Sequence, residues 1–259
     1  MRLLFEVRAS FWLLASLFVC KVNVMHTVSP TCDGSADLRL PDELRAPLMA
    51  HLRDLRQRYL ERGWGGPVGF GQRPALIVID LACCWTDPSQ QIGSRLDGVV
   101  ANTLKVLTAA RQAAIPIFFT TFAYDPDDVP SPHDLKQQLK LEPEHLPLFE
   151  LDPRLERRPG EKLIRKRYAS AFKGTNLMEM LAALAVDTLI VTGCSTSHCV
   201  YATCRDATDS YRVIVPREAV GERCELLHEV NLLDIEIDLA DVLPVDDVVQ
   251  KLASLVNSA

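Results

Sequence analysis

The sequence predicts a three-layer α/β/α domain on a parallel sheet of about six strands. Two patterns carry this. Apolar runs such as PALIVID (74–80) and DTLIVTG (187–193) have the near-continuous hydrophobicity of strands covered on both faces. They alternate with helix-period segments such as LDGVVANTLKVLTAARQAA (96–114), and regular strand–helix alternation yields parallel sheets clothed by helices. Size agrees, because 259 residues with 48% hydrophobic content can bury one full core.

The elements follow in order. SFWLLASLFVC (10–20) is an apolar segment of signal-peptide length, too short to span a membrane comfortably. Glu6 sits where a signal would be positive, no clean cleavage site follows, and Met25 offers a second start, so a signal and an upstream extension both stay open. Residues 26–40 are polar and turn-rich. Residues 41–63 have a helical period that stops at Gly63. The division is an N-terminal extension over 1–62 and the main α/β domain over 63–259. WGGPVGFGQRP (64–74) is glycine-rich but lacks the Lys-Ser/Thr of a phosphate loop. PALIVIDL is the first buried strand, the helix over 96–114 follows, and IPIFFTTF (115–122) is the second strand.

Residues 124–160 are rich in Pro, Asp and charge, the character of a lid or an oligomer contact. EKLIRK (161–166) is a short strand, 175–186 a helix and 187–193 a strand. Residues 197–211 form the next helix, and RVIVPRE (212–218) a strand. A helix over 223–233, a strand over IEIDLADV (235–242) and a helix over 245–256 complete the pattern.

A formal charge of −6 with no long basic run argues against nucleic acid as a partner. Eight cysteines in a chain this long read as reduced, packed thiols of an intracellular protein rather than a disulfide scaffold. Cys83 and Cys84 are adjacent and lack the spacer of a redox dithiol. No paired C-x-x-C or H-E-x-x-H marks a zinc site.

The most telling stretch is VTGCSTSHCV (191–200), where an apolar run ends in a tight turn of small residues and opens into a helix. That junction is where α/β folds place chemistry. A cysteine in the first turn, Cys199, would feel the positive end of the helix dipole, so its pKa is expected below the free value of about 8.5. The plainer alternative is a small buried apolar residue. Asp80 ends PALIVID, where a turn-forming role competes with a chemical one. Lys166 ends EKLIRK within a basic run, where a solvated charge is the alternative. Three residues at the carboxyl ends of parallel strands would meet in one crevice, as nucleophile, proton carrier and charge stabiliser.

The strings GFGQRPALIVIDL, KRYASAFKGTNL, VDTLIVTGCSTSHCVYATCRDA, VPREAVGER and HEVNLLDIEIDLADVLPVDDVV resemble the isochorismatase-like cysteine hydrolases. The nearest branch is that of the N-carbamoylsarcosine amidases and maleamate amidohydrolases, and the likeness runs from about residue 63 to the end. The resemblance implies a catalytic set of Asp80, Lys166 and Cys199. It implies an oxyanion hole from the backbone N–H groups of Ser195 and Cys199, with a cis peptide at Cys194–Ser195. The reaction implied is attack on a small amide or ureido carbonyl, release of ammonia and passage through a thioester, without a cofactor.

Thr196 is expected either to shape the pocket by a hydrogen bond or to cap the helix. Arg223 is a candidate for a substrate carboxylate, against a surface ion pair with Glu222 or Glu225. His198 replaces the smaller residue usual before this cysteine and is expected to narrow the site. Trp85, Phe70 and Tyr124 are candidate apolar walls or core residues. Related nicotinamidases hold a metal through an Asp-x-His pair; residues 121–135 carry His133 but no such pair, so no metal is expected. Keeping Cys199 favours amide over vinyl-ether hydrolysis. The partners expected are a small-molecule substrate and further copies of the chain as a dimer or tetramer, with no membrane. The compartment is cytoplasmic, or extracellular if the apolar segment is a signal. The competing reading is a catalytically silent relative that binds a metabolite or acts as an assembly partner.

Overall fold

The computed structural model describes residues 38–90, 92–123, 129, 131–137 and 143–256. Tyr124, Met25 and the apolar segment over 10–20 lie outside them. Among the described residues seven strands form one sheet: β1 (Pro74–Ile79), β2 (Ile117–Phe122), β3 (Lys162–Lys166), β4 (Thr188–Cys194), β5 (Arg212–Pro216), β6 (Val220–Gly221) and β7 (Asp241–Leu243). The order is β3-β2-β1-β4-β5-β7, with β6 beside β4, and every pairing is parallel. The seventh strand, β6, has two residues, too few to leave a periodic signal in the sequence.

Side chains alternate across β1. Ala75, Ile77 and Ile79 enter one core with Leu177, Leu181, Val200, Cys204, Leu232 and Ile235. Leu76 and Val78 enter the other with Val100, Val106, Leu107, Val248 and Leu252. All six residues of β1 are buried, which is why this strand reads as an unbroken apolar run rather than an alternation.

The helices are α1 (Asp42–Glu61), α2 (Cys83–Thr86), α3 (Asp97–Gln112), α4 (Pro132–Gln137), α5 (Leu177–Ala183), α6 (Tyr201–Ala207), α7 (Glu225–Asp238) and α8 (Val245–Val256). α1 ends where expected, with Gly63 at φ +86° just beyond it. It lies on α7, joined by ion pairs from Arg45 to Glu225 and from Arg56 to Glu236.

Two expectations change. The alternating IEIDLADV is not one strand: α7 runs on through Asp238, and only Asp241–Leu243 is extended. Leu232, Ile235 and Leu239 recur at helical spacing and are buried, so the same residues satisfy a helix period. The connection after β2 also holds structure, namely α4 and the 3-10 turns Pro143–Phe149 and Pro153–Leu155. Among the described residues no helix is long and apolar enough to cross a membrane.

The chain runs from β1 outward to β2 and β3, then returns to β4 on the other side of β1. This reversal leaves a crevice beyond the carboxyl ends of β1 and β4, where open α/β sheets bind ligands.

Candidate active site

Asp80 follows β1 directly, with φ +49°, and its side chain is buried. Its neighbour Thr120, on β2, accepts from the Asp80 N–H at 3.1 Å and donates to Asp80 Oδ1 at 2.6 Å. This pair of bonds fixes the carboxylate's orientation. Lys166 ends β3, and its Nζ lies 2.5 Å from Asp80 Oδ2, with side chains only 2% and 5% exposed. A second bond runs from Nζ to the Tyr168 carbonyl at 3.2 Å. Burial works against the ammonium, but Asp80 and Cys199 outweigh it and raise the Lys166 pKa.

Beyond β4 the peptide Cys194–Ser195 is cis. Gly193 precedes it at φ +111°, where an added Cβ would stand 2.0 Å from the Ile79 carbonyl oxygen. Only glycine fits so close a passage of β4 beside β1. Thr196–Val200 then forms a π-helical turn that leads into α6. Cys199 lies in this turn, buried, within hydrogen-bonding reach of both Asp80 and Lys166.

The ionisation of Cys199 departs from the expectation. Burial, followed by the Asp80 carboxylate, pushes its thiol up; Lys166 pulls the other way but does less. A helix dipole lowers the pKa of a solvated thiol, whereas burial disfavours the thiolate, and at Cys199 burial wins. At rest the group is a thiol beside a carboxylate.

The same cavity is lined by Asp80, Lys166, Cys199, Trp85, Phe122, Phe149, Arg167, His133 and His198. The Isochorismatase domain model matches residues 74–247, which span β1, the nucleophile turn and the start of α8. The chain belongs to the isochorismatase family. It is 38% identical over 205 residues to the N-carbamoylsarcosine amidase of an Arthrobacter species, covering 76% of this chain and 78% of that protein. It is 35% identical over 219 residues to the maleamate amidohydrolase of Pseudomonas putida, covering 80% and 99%. An isochorismatase family protein of Desulfovibrio vulgaris superposes with a TM-score of 0.62 at 26% identity, covering 71% of this chain and 100% of that one. A cysteine hydrolase of Pseudomonas syringae shares the fold with a TM-score of 0.65 at 24% identity, covering 71% and 94%.

Other residues of this isochorismatase-family site fall on either side of the turn. Thr196 is fully buried and its Oγ1 lies 2.9 Å from His228 Nδ1, so it holds the turn against α7 rather than capping a helix. Ser195 occupies the position before the turn without a side-chain cap bond. Arg223 bonds Glu222 Oε1 at 3.3 Å and lines an adjoining cavity with His228, not the cavity around Cys199. Phe70 packs on the core under Lys251, while Trp85 serves both core and cavity wall.

Sequence reasoning missed Thr120, and it named Glu222 only as a candidate ion-pair partner of Arg223, a contact that is present, without its role at Ser197. Glu222 is fully buried in its side chain and accepts from the Ser197 N–H at 3.0 Å and the Ser197 hydroxyl at 2.5 Å. The only trace of Thr120 was a pair of hydroxyls closing an apolar strand, FFTTF. Among the described residues no three His, Cys, Asp or Glu side chains converge as metal ligands.

Proposed function

We propose that this chain is a cysteine-dependent amidohydrolase that cleaves a C–N bond of a small amide or ureido compound and releases ammonia. The observation that carries the reading is the buried Asp80–Lys166 pair, 2.5 Å apart, sharing one cavity with the Cys199 thiol. A buried ion pair costs desolvation that packing alone does not call for, and perturbed groups gathered in a cleft are the usual sign of chemistry.

Cys199 Sγ attacks the carbonyl carbon while its proton passes to Asp80. The backbone N–H groups of Ser195 and Cys199 take the developing oxyanion; loss of one such donor typically costs about a hundredfold or more in rate. Asp80 gives the proton to the leaving nitrogen, ammonia departs, and a thioester remains. Asp80 then takes a proton from water, the hydroxide attacks the thioester, and the acid leaves as the thiol is restored. Lys166, its Nζ 2.5 Å from Asp80 Oδ2, balances the charge that passes on and off the carboxylate. No step calls for a metal or cofactor.

The named activities of the amidase and amidohydrolase relatives support small acidic amides as the substrate class. Arg223 is the proposed partner of a substrate carboxylate. Its charge is felt at His198 inside the Cys199 cavity, although its guanidinium now rests on Glu222. The free thiols among the described cysteines support a reducing, cytoplasmic setting. Exposed Leu226, Leu227 and Val230 on α7 support a contact between copies of the chain.

An ammonia-release screen over small carboxylated amides and ureides tests the reading. At least one compound should be turned over by the native enzyme and by none of the Cys199→Ala preparations. Equal release by both would exclude Cys199 as the nucleophile. For that compound, Arg223→Ala should raise KM for the acid more than for its methyl ester, with Arg223→Lys rescuing in part. Equal loss on acid and ester would move the carboxylate partner elsewhere.

A further inference from the structure

We propose that the stacked rings of His133 and His198 form a wall that admits only small, flat, unbranched amides to Cys199. The inference deepens the amidohydrolase reading and rests on it for the nature of the substrate.

His198 directly precedes Cys199 in the π-helical turn, and His133 is the second residue of α4, on the connection between β2 and β3. Their ring centroids are 5.1 Å apart and their planes 16° from parallel. Both rings line the cavity that holds Asp80, Lys166 and Cys199. Phe122 and Phe149 line it too, with centroids 5.7 Å apart and a 39° tilt. A planar acyl group fits among such ring surfaces, whereas a branched carbon meets a ring edge or face.

The first turn of α4, which carries His133, is closed by local bonds. Asp134 Oδ2 accepts from the Ser131 N–H at 2.8 Å and the Ser131 hydroxyl at 2.7 Å, and Ser131 Oγ accepts in return from the Asp134 N–H at 3.2 Å. This reciprocal bonding closes the first turn of α4 around the residue that carries the ring. His198 is placed by the turn itself, its N–H donating to the Ser195 carbonyl at 2.9 Å. Burial, with His133 and Lys166 nearby, lowers its pKa, so the stacked ring is neutral at pH 7 and packs as an aromatic surface. Two facing imidazolium rings would repel instead.

The test reads Cys199 directly and does not need turnover. Iodoacetamide and its N-tert-butyl derivative alkylate a thiolate by displacing iodide from the methylene carbon, leaving a thioether. Rates at Cys199 are followed by peptide mapping, each divided by the rate with free cysteine. The native protein should favour the small reagent by about tenfold or more, the size of effect a few methyl groups exert in a fitted pocket. His198→Ala and His133→Ala should each erase most of that preference, and His198→Phe, which refills the space, should restore it. A preference that both alanine variants retain would overturn the proposal. So would its absence in the native protein. If no amide releases ammonia while the preference still depends on these histidines, the wall stands and the substrate reading fails.

Discussion

In the proposed mechanism the resting protonation state of Cys199 decides how the reaction begins. A thiol held up by burial and by Asp80 cannot attack until its proton leaves, so proton transfer to Asp80 belongs to the attack itself. Alkylation of Cys199 should therefore climb through pH 7–9 without reaching a plateau. Asp80→Asn removes the facing negative charge and should speed alkylation at fixed pH while abolishing turnover; slower alkylation would mean that Asp80 activates the resting thiol. Lys166→Met leaves a buried carboxylate unpaired and should cost about 3–5 kcal/mol in urea unfolding, as breaking one side of a buried pair does. A loss below about 1 kcal/mol would place the pair in a more hydrated setting than its burial indicates. Asp80, Lys166 and Cys199 were legible because each closes an apolar run or opens a helix. Thr120 and the role of Glu222 at Ser197 were not, because the partners lie 40 and 25 residues away and only the sheet's crossovers bring them together. The direction of the thiol's shift was misread for a related reason: sequence displays a helix start but not how deeply its first turn is buried.

At the scale of elements, β4 governs the site, since it delivers the turn from Ser195 to Cys199 beside the end of β1. Gly193→Ala would force a Cβ into the Ile79 carbonyl and should leave little folded protein, read as loss of the cooperative thermal transition. A normal transition would show that the two strands can part. On the far edge, Arg111 on α3 grips Glu161 at 2.7 Å and the carbonyls of Leu155 and Glu156, fastening α3 to the approach to β3. Burial opposes the Glu161 charge, but bonds from Arg111 and the Arg158 N–H prevail and lower its pKa; Asp152 and Asp187 are lowered likewise by hydrogen bonds that outweigh burial. Groups with depressed native pKa values stabilise above their unfolded pKa and lose that contribution as pH falls through the native one. Stability should thus decline below about pH 4, and Glu161→Gln should flatten part of the decline; an unchanged acid profile would remove the pair from the account. The strands were legible wherever burial on both faces made a run continuous. β6 was too short to show, and α7 was cut early because its apolar residues satisfy both a helix and a strand period.

For the whole molecule, the sheet's reversal between β1 and β4 converts three distant sequence motifs into one pocket, and the cysteine chemistry proposed there is self-sufficient. Prolonged chelation should leave ammonia release unchanged; loss of activity restored by one divalent metal would point to a nicotinamidase-like mechanism. Strand–helix alternation made the architecture readable, whereas the occupants of the crevice walls, His133 above all, depend on how the long β2–β3 connection folds back. In the proposed mechanism catalysis passes through a thioester on Cys199. Acid quenching of the enzyme during turnover of an active amide, followed by mass spectrometry of the Cys199 peptide, tests it most directly. The expected result is an added mass equal to the acyl group, present in the native enzyme and absent from Cys199→Ser. An unmodified Cys199 peptide throughout a confirmed pre-steady-state burst of ammonia would contradict it.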